Sequence, residues 1–204
     1  MNFLAHLHLS GDIAPVMTGN YLGDFVRKKE LILSDDNSIN EQVLKGMDLH
    51  KCIDLYTDSH PLVKKVQQIF IPEFGKYASV LSDLYFDYLL CNCWSEFSTI
   101  PLKEFAKNSY LFLENHKSYF NERASQFYGY MYSNNLLENY GRLEVMERVL
   151  VGISNRRVRG GINLALSISL FEEHEDEIRG YFIKFYPDLL GRGNEFLRHN
   201  GLIH

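Results

Sequence analysis

Apolar residues recur at intervals of three and four along most of this sequence, and strand-like alternation at every second position is scarce. A chain patterned in this way buries its apolar face as helices and has little from which to build a sheet. The spacing predicts helices over roughly 13–28, 39–58, 61–70, 76–94, 102–116, 120–132, 142–152 and 163–185, with 2–9 helical as well. At 204 residues, 46% of them hydrophobic, the chain can bury one sizeable core and needs no second domain. The expected fold class is therefore all-α, a compact single-domain helical bundle over 1–204. Ser38-Ile39-Asn40-Glu41 has the pattern of a capping box, while Asp35-Asp36-Asn37 and Arg159-Gly160-Gly161 read as turns.

A net charge of −5 gives no general attraction to nucleic acid or to an anionic membrane, so an anionic partner would have to meet a local basic patch. No run of about 18 uncharged apolar residues marks a membrane span, and Met1-Asn2-Phe3-Leu4-Ala5-His6 lacks the basic flank of a secretory signal. Cys52, Cys91 and Cys93 form an odd set without scaffold spacing, which suits free thiols. The expectation is a cytoplasmic protein without nucleic-acid or membrane partners.

The informative residues are polar ones on apolar faces. On a helix over 39–58, His50 and Asp54 share a sector with Val43, Met47 and Thr57. Over 76–94, Asp83 and Asp87 share theirs with Val80, Phe86, Leu90 and Trp94. Asn20 and Asp24 repeat the i,i+4 spacing beside Val16 and Met17. Two carboxylates on a buried face repel, so the Asp83 and Asp87 pair implies either a raised pKa or a bound cation. Three helices presenting imidazole, amide and carboxylate groups inward can furnish a mixed nitrogen and oxygen shell for Mn²⁺ or Mg²⁺.

Other arrangements satisfy the same residues. His50 can be a hydrogen-bonded core histidine, and Asp83 and Asp87 can join Arg156, Arg157 or Arg159 in a buried ion network. Asp58 and His60, in Thr57-Asp58-Ser59-His60-Pro61, can cap the following helix. His6 and His8 diverge by about 200° on a helix, so at most one is expected to reach a shared site. Phe120, Phe127, Tyr128, Tyr130 and Tyr132 read as core and lid packing, and Glu172-Glu173-His174-Glu175-Asp176-Glu177 as a solvated helix face.

Met1-Asn2-Phe3-Leu4-Ala5-His6-Leu7-His8-Leu9, Gly19-Asn20-x-x-x-Asp24-Phe25-Val26-Arg27, Leu49-His50-x-x-Ile53-Asp54-x-x-Thr57-Asp58-x-x-Pro61, Asp83-x-x-x-Asp87 with Trp94, and Phe185-Tyr186-Pro187-Asp188 span nearly the whole chain. Together they resemble the acyl carrier protein phosphodiesterases. That family is described as helical, manganese-requiring and a distant, divergent relative of the HD-domain metal-dependent phosphohydrolases. The resemblance implies an HD-domain-like fold, Mn²⁺ (or Mg²⁺) held by Asp24, His50, Asp54 and Asp87, and holo acyl carrier protein as the protein substrate. Two positions depart from the pattern: Tyr88 stands where members often have histidine, and Lys28 where glycine is usual.

On this reading Asp83 orients or deprotonates the water, Asp58 lies close by in the catalytic set, and Arg27 offers paired donors to the phosphate. Arg27, Lys28 and Lys29, or Arg156, Arg157 and Arg159, would form the rim that meets an acidic carrier. Two rival functions share these residues: an HD-type phosphohydrolase acting on a nucleotide or other small phosphoester, and a non-catalytic binder of an acidic partner protein.

Overall fold

The computed structural model describes residues 1–157 and 161–204. Arg159 and Gly160, expected in a turn, lie outside the described residues, and so does the side chain of Arg157. Among the described residues every regular element is helical, as the periodicity requires. The helices run α1 (Phe3–His8), α2 (Ala14–Leu22), α3 (Asn37–Ser59), α4 (Pro61–Phe74), α5 (Ala78–Asn92), α6 (Trp94–Phe97), α7 (Leu102–Asn115), α8 (Glu122–Ser133), α9 (Leu136–Asn139), α10 (Leu143–Arg157), α11 (Ser167–Glu173) and α12 (Glu175–His199). Short 3₁₀ turns link several of them, including Lys28–Glu30 after α2. No helix of the described residues is long and apolar enough to cross a membrane.

Several boundaries differ from the sequence expectation: α2 ends at Leu22 where 28 was expected, α4 and α10 run on to Phe74 and Arg157, and three further differences have a visible cause. Asp36, not Ser38, caps α3: its carboxylate accepts from the Ser38 and Ile39 amides at 2.9 and 3.1 Å. The helix expected over 163–185 breaks at His174, where Glu175, Asp176 and Glu177 fill the first turn of α12. Negative charge is favoured at a helix start, so the acidic run initiates a helix where a continuous solvated face had been expected. α12 then continues past Pro187 to His199, because Leu189 and Leu197 beyond the proline are buried. An interior proline costs about 3 kcal/mol, and burying two leucines recovers about 3–6 kcal/mol.

The buried faces merge into one continuous core, with Phe70, Tyr85, Phe86, Phe171, Phe182, Phe185 and Tyr186 at its aromatic centre. Tyr85 and Phe171 stack at 4.1 Å. At the other end, α2 lies against α3 with backbone touching backbone. A Cβ on Gly46 would come within 2.1 Å of the Val16 carbonyl oxygen, and one on Gly19 within 1.9 Å of the Val43 carbonyl oxygen. Only glycine permits this crossing, and it sets the height at which α2 residues meet the inward face of α3.

Gly46→Ala must push the two helices apart. It is expected to destabilise the protein by about 2–3 kcal/mol or more, read as a lowered denaturant midpoint in urea unfolding.

Candidate metal centre

α1, α2, α3 and α5 converge beside the crossing, and each contributes one of the polar residues that the sequence pattern singles out. On α3, Val43, Met47, His50 and Thr57 are buried and Asp54 is half-exposed at the rim. The face that the helical wheel assigns to the core is thus the face that carries His50 and Asp54 inward.

Nε2 of His50 lies 3.1 Å from Oδ2 of Asp54, and Nε2 of His6 lies 3.2 Å from Oδ1 of the same carboxylate. The two imidazole rings stack at 4.2 Å. One donor atom each from His6, His50 and Asp54 falls within 4.8 Å of the others, a spacing able to surround one cation. Asp24, in the turn just past α2, brings Oδ1 to 3.8 Å from Nε2 of His50 and is half-exposed. Gly23 makes room for the ring, since a Cβ there would meet His50 Cγ at 2.2 Å.

Asn20 orients both imidazoles. Its backbone oxygen lies 2.8 Å from Nδ1 of His50, and its side-chain Oδ1 lies 2.8 Å from Nδ1 of His6. Its Nδ2 donates to the His6 carbonyl at 2.6 Å and to Ser10 Oγ at 2.9 Å, which fixes which end of the amide faces the ring. Both Asn20 oxygens only accept, so both Nδ1 atoms carry a proton and both Nε2 atoms face Asp54. Without a cation those Nε2 atoms must also be protonated to bond the carboxylate, which would place two imidazolium rings in a stack.

The pKa directions express that conflict. Burial works against the charge on His50, yet the hydrogen bond and charge of Asp54, then the charge of Asp24, outweigh it and raise its pKa. His6 is pushed down by burial and by His50, with Asp54 offsetting only part. Burial opposes ionisation of Asp54 too, but hydrogen bonds from His50 and His6 hold its carboxyl well below the usual range. The two rings are thus pushed in opposite directions although they share one carboxylate.

Asp58, Asp83 and Asp87 lie within electrostatic reach of this group or of the Met1 amine beside it. Asp83 accepts from the Met1 amine at 2.9 Å. Asp58, one turn beyond Asp54 on α3, has its pKa raised by burial and then by Asp83. Asp87 is fully buried and turned to α1, where Oδ2 accepts from the Leu4 amide at 2.7 Å and Oδ1 from the Ala5 amide at 3.2 Å. It is not one of the His6, His50 and Asp54 group. Among the described residues no arginine pairs with Asp83 or Asp87, and of the arginines named for the alternative ion network Arg159 and the side chain of Arg157 lie outside them. Arg27 is exposed and pairs with Glu30, and Lys28 pairs with Asp48. His60 accepts from the Leu62 amide at 3.3 Å and caps α4, as one reading of its motif anticipates.

His6 is the member that spacing alone leaves open, because the pattern shows only that His6 and His8 diverge. The structure turns His8 the other way, with Nδ1 2.8 Å from Tyr186 Oη and the ring 4.6 Å from Trp94.

A family model described as acyl carrier protein phosphodiesterase matches residues 1–189. The chain is 29% identical to the acyl carrier protein phosphodiesterase of Yersinia pestis over 191 residues, 93% of this chain and 96% of that one. It is 31% identical to that of Enterobacter sp. (strain 638) over the same shares of the two chains. With the enzyme of that name from Escherichia coli O139:H28 it shares 30% over 200 residues, 95% of this chain and 98% of that one. No solved structure matches the chain significantly.

His8 supplies a test of the packing around the centre. Burial lowers its pKa to about 4, from an ordinary value of 6.5. The folded state therefore binds fewer protons than the unfolded state between those values. The contribution of His8 to stability is complete above about 6.5 and is lost as pH falls towards 4, a change of about 2–3 kcal/mol. Urea unfolding at pH 7 and pH 4.5 should show a smaller stability difference for His8→Asn than for the wild type.

Proposed function

The chain belongs to the acyl carrier protein phosphodiesterase family, and from that membership we propose that it is a divalent-cation-dependent phosphodiester hydrolase acting on holo acyl carrier protein. It releases 4'-phosphopantetheine and leaves the apo carrier. The observation that supports the cation is the donor set: two imidazole Nε2 atoms aimed at one carboxylate, with both Nδ1 positions already taken by Asn20.

His6, His50 and Asp54 would hold the ion, with Asp24 beside His50 as a further oxygen donor. Mn²⁺ suits a mixed imidazole and carboxylate set, and Mg²⁺ is the harder alternative. A bound cation of this kind neutralises phosphoryl charge and makes a water molecule more acidic.

The chain's own groups supply the rest. Asp83 accepts the water's proton at its carboxylate, half sheltered on α5. Asp58, whose pKa is raised by burial and by Asp83, holds a proton more readily than an ordinary carboxyl and delivers it to the departing serine oxygen. Arg27, three residues beyond Asp24, exchanges Glu30 for the phosphate. Arg27, Lys28 and Lys29 then form a cationic edge against the carrier's acidic surface.

Metal-stripped protein incubated with holo acyl carrier protein should leave the carrier's mass unchanged until Mn²⁺ or Mg²⁺ is added, after which the phosphopantetheine mass is lost. Asp54→Ala should slow that loss by about 100-fold or more. Turnover of free nucleotides with an untouched carrier would favour the small-phosphoester hydrolase. Carrier binding without mass loss would favour the non-catalytic binder.

A further inference from the structure

Asp87 is the fully buried carboxylate in this region that the proposed chemistry does not use. A buried carboxylate must be compensated, and here the compensation is the backbone of α1: the Leu4 amide at 2.7 Å and the Ala5 amide at 3.2 Å. α1 has six residues, Phe3–His8, too few to hold its own position. It is fixed from outside, by Asp87 at its first turn, by Asn2 Nδ2 on Tyr140 Oη at 3.2 Å and the Met1 amine on Asp83 at 2.9 Å just before it, and by Asn20 Nδ2 on the His6 carbonyl at 2.6 Å.

The next residue after Ala5 is His6, whose amide closes the same turn on the Asn2 carbonyl at 3.1 Å. The placement of Asp87 on α1 therefore constrains, from the first turn, where the His6 ring can stand. Asn20 sets the rotation of that ring, whereas the axial position of α1 sets its distance from Asp54. That distance is 3.2 Å.

We propose that Asp87 is a positioning residue: its carboxylate docks the first turn of α1 on α5 and so places Nε2 of His6 against Asp54. Relative to the cation, Asp87 acts through His6 and not as a ligand. The inference rests on the proposed metal centre, but the docking itself does not require the ion.

The experiment is a double-mutant cycle on Mn²⁺ affinity, measured calorimetrically with metal-stripped wild type, Asp87→Asn, His6→Ala and the double variant. Asp87→Asn should weaken Mn²⁺ by about 10-fold and cost no further affinity once His6 is alanine. An equal loss with and without His6 would overturn the proposal, as would a lowered melting temperature with unchanged affinity.

A second readout serves if the wild type binds no Mn²⁺, which would sink the metal reading alone. In the metal-free protein, imidazole ¹⁵N and ¹³C resonances of His6 should move in Asp87→Asn, and those of His50, held by the Asn20 backbone, should move far less. Equal shifts or none would contradict the positioning role. If Asp87→Asn does not fold, Asp87→Glu, which keeps the charge and displaces the acceptor by one methylene, takes its place in both measurements.

Discussion

Where α2 crosses α3, Gly19 and Gly46 let two backbones touch, and the Asn20 carbonyl thereby arrives 2.8 Å from Nδ1 of His50. The rest of the centre is arranged around that contact. The Asn20 side chain reaches from the same point to His6, Asp24 follows one turn later, and Gly23 leaves the His50 ring its space. A crossing even one methyl group wider would lengthen the hydrogen bond that holds His50, because the acceptor belongs to the backbone and has no rotamer with which to follow.

Electrostatics then separates the roles of five acidic residues that look alike in the sequence. Asp54 is held ionised despite burial because two imidazoles donate to it, and Asp58 is pushed the other way by burial and by Asp83. Asp87, with burial dominant over the Leu4 amide, the charge of the Met1 amine and the Ala5 amide, has its pKa raised to about 7. Asp83 meets the Met1 amine, and Asp24 stands half-exposed beside His50. Five carboxylates from three stretches of the chain thus meet five different surroundings: two imidazoles, a neighbouring carboxylate, two backbone amides of a short helix, the Met1 amine, and the outer side of His50.

The helical fold and the inward faces of α3 and α5 are legible in the sequence because burial imposes the 3.6-residue period directly. His50 and Asp54 are found by that reasoning, as is the inward turn of Asn20. Spacing does not decide which of His6 and His8 joins them, since that depends on how a six-residue helix is docked by a residue more than eighty positions away. For the same reason Asp87, correctly placed on a buried face, has a backbone partner that periodicity cannot reveal. The extension of α12 past Pro187 escapes a local rule because Leu189 and Leu197 find their burial only in the assembled core.

The central claim is that His6, His50 and Asp54 surround one divalent cation. Pulsed electron paramagnetic resonance of the Mn²⁺-loaded protein tests it most directly, because coupling to imidazole nitrogen is observed only for rings that ligate the ion. Coupling to two histidine nitrogens is expected, reduced to one in His6→Ala and in His50→Ala. A spectrum without nitrogen coupling, or one that neither substitution changes, would contradict it.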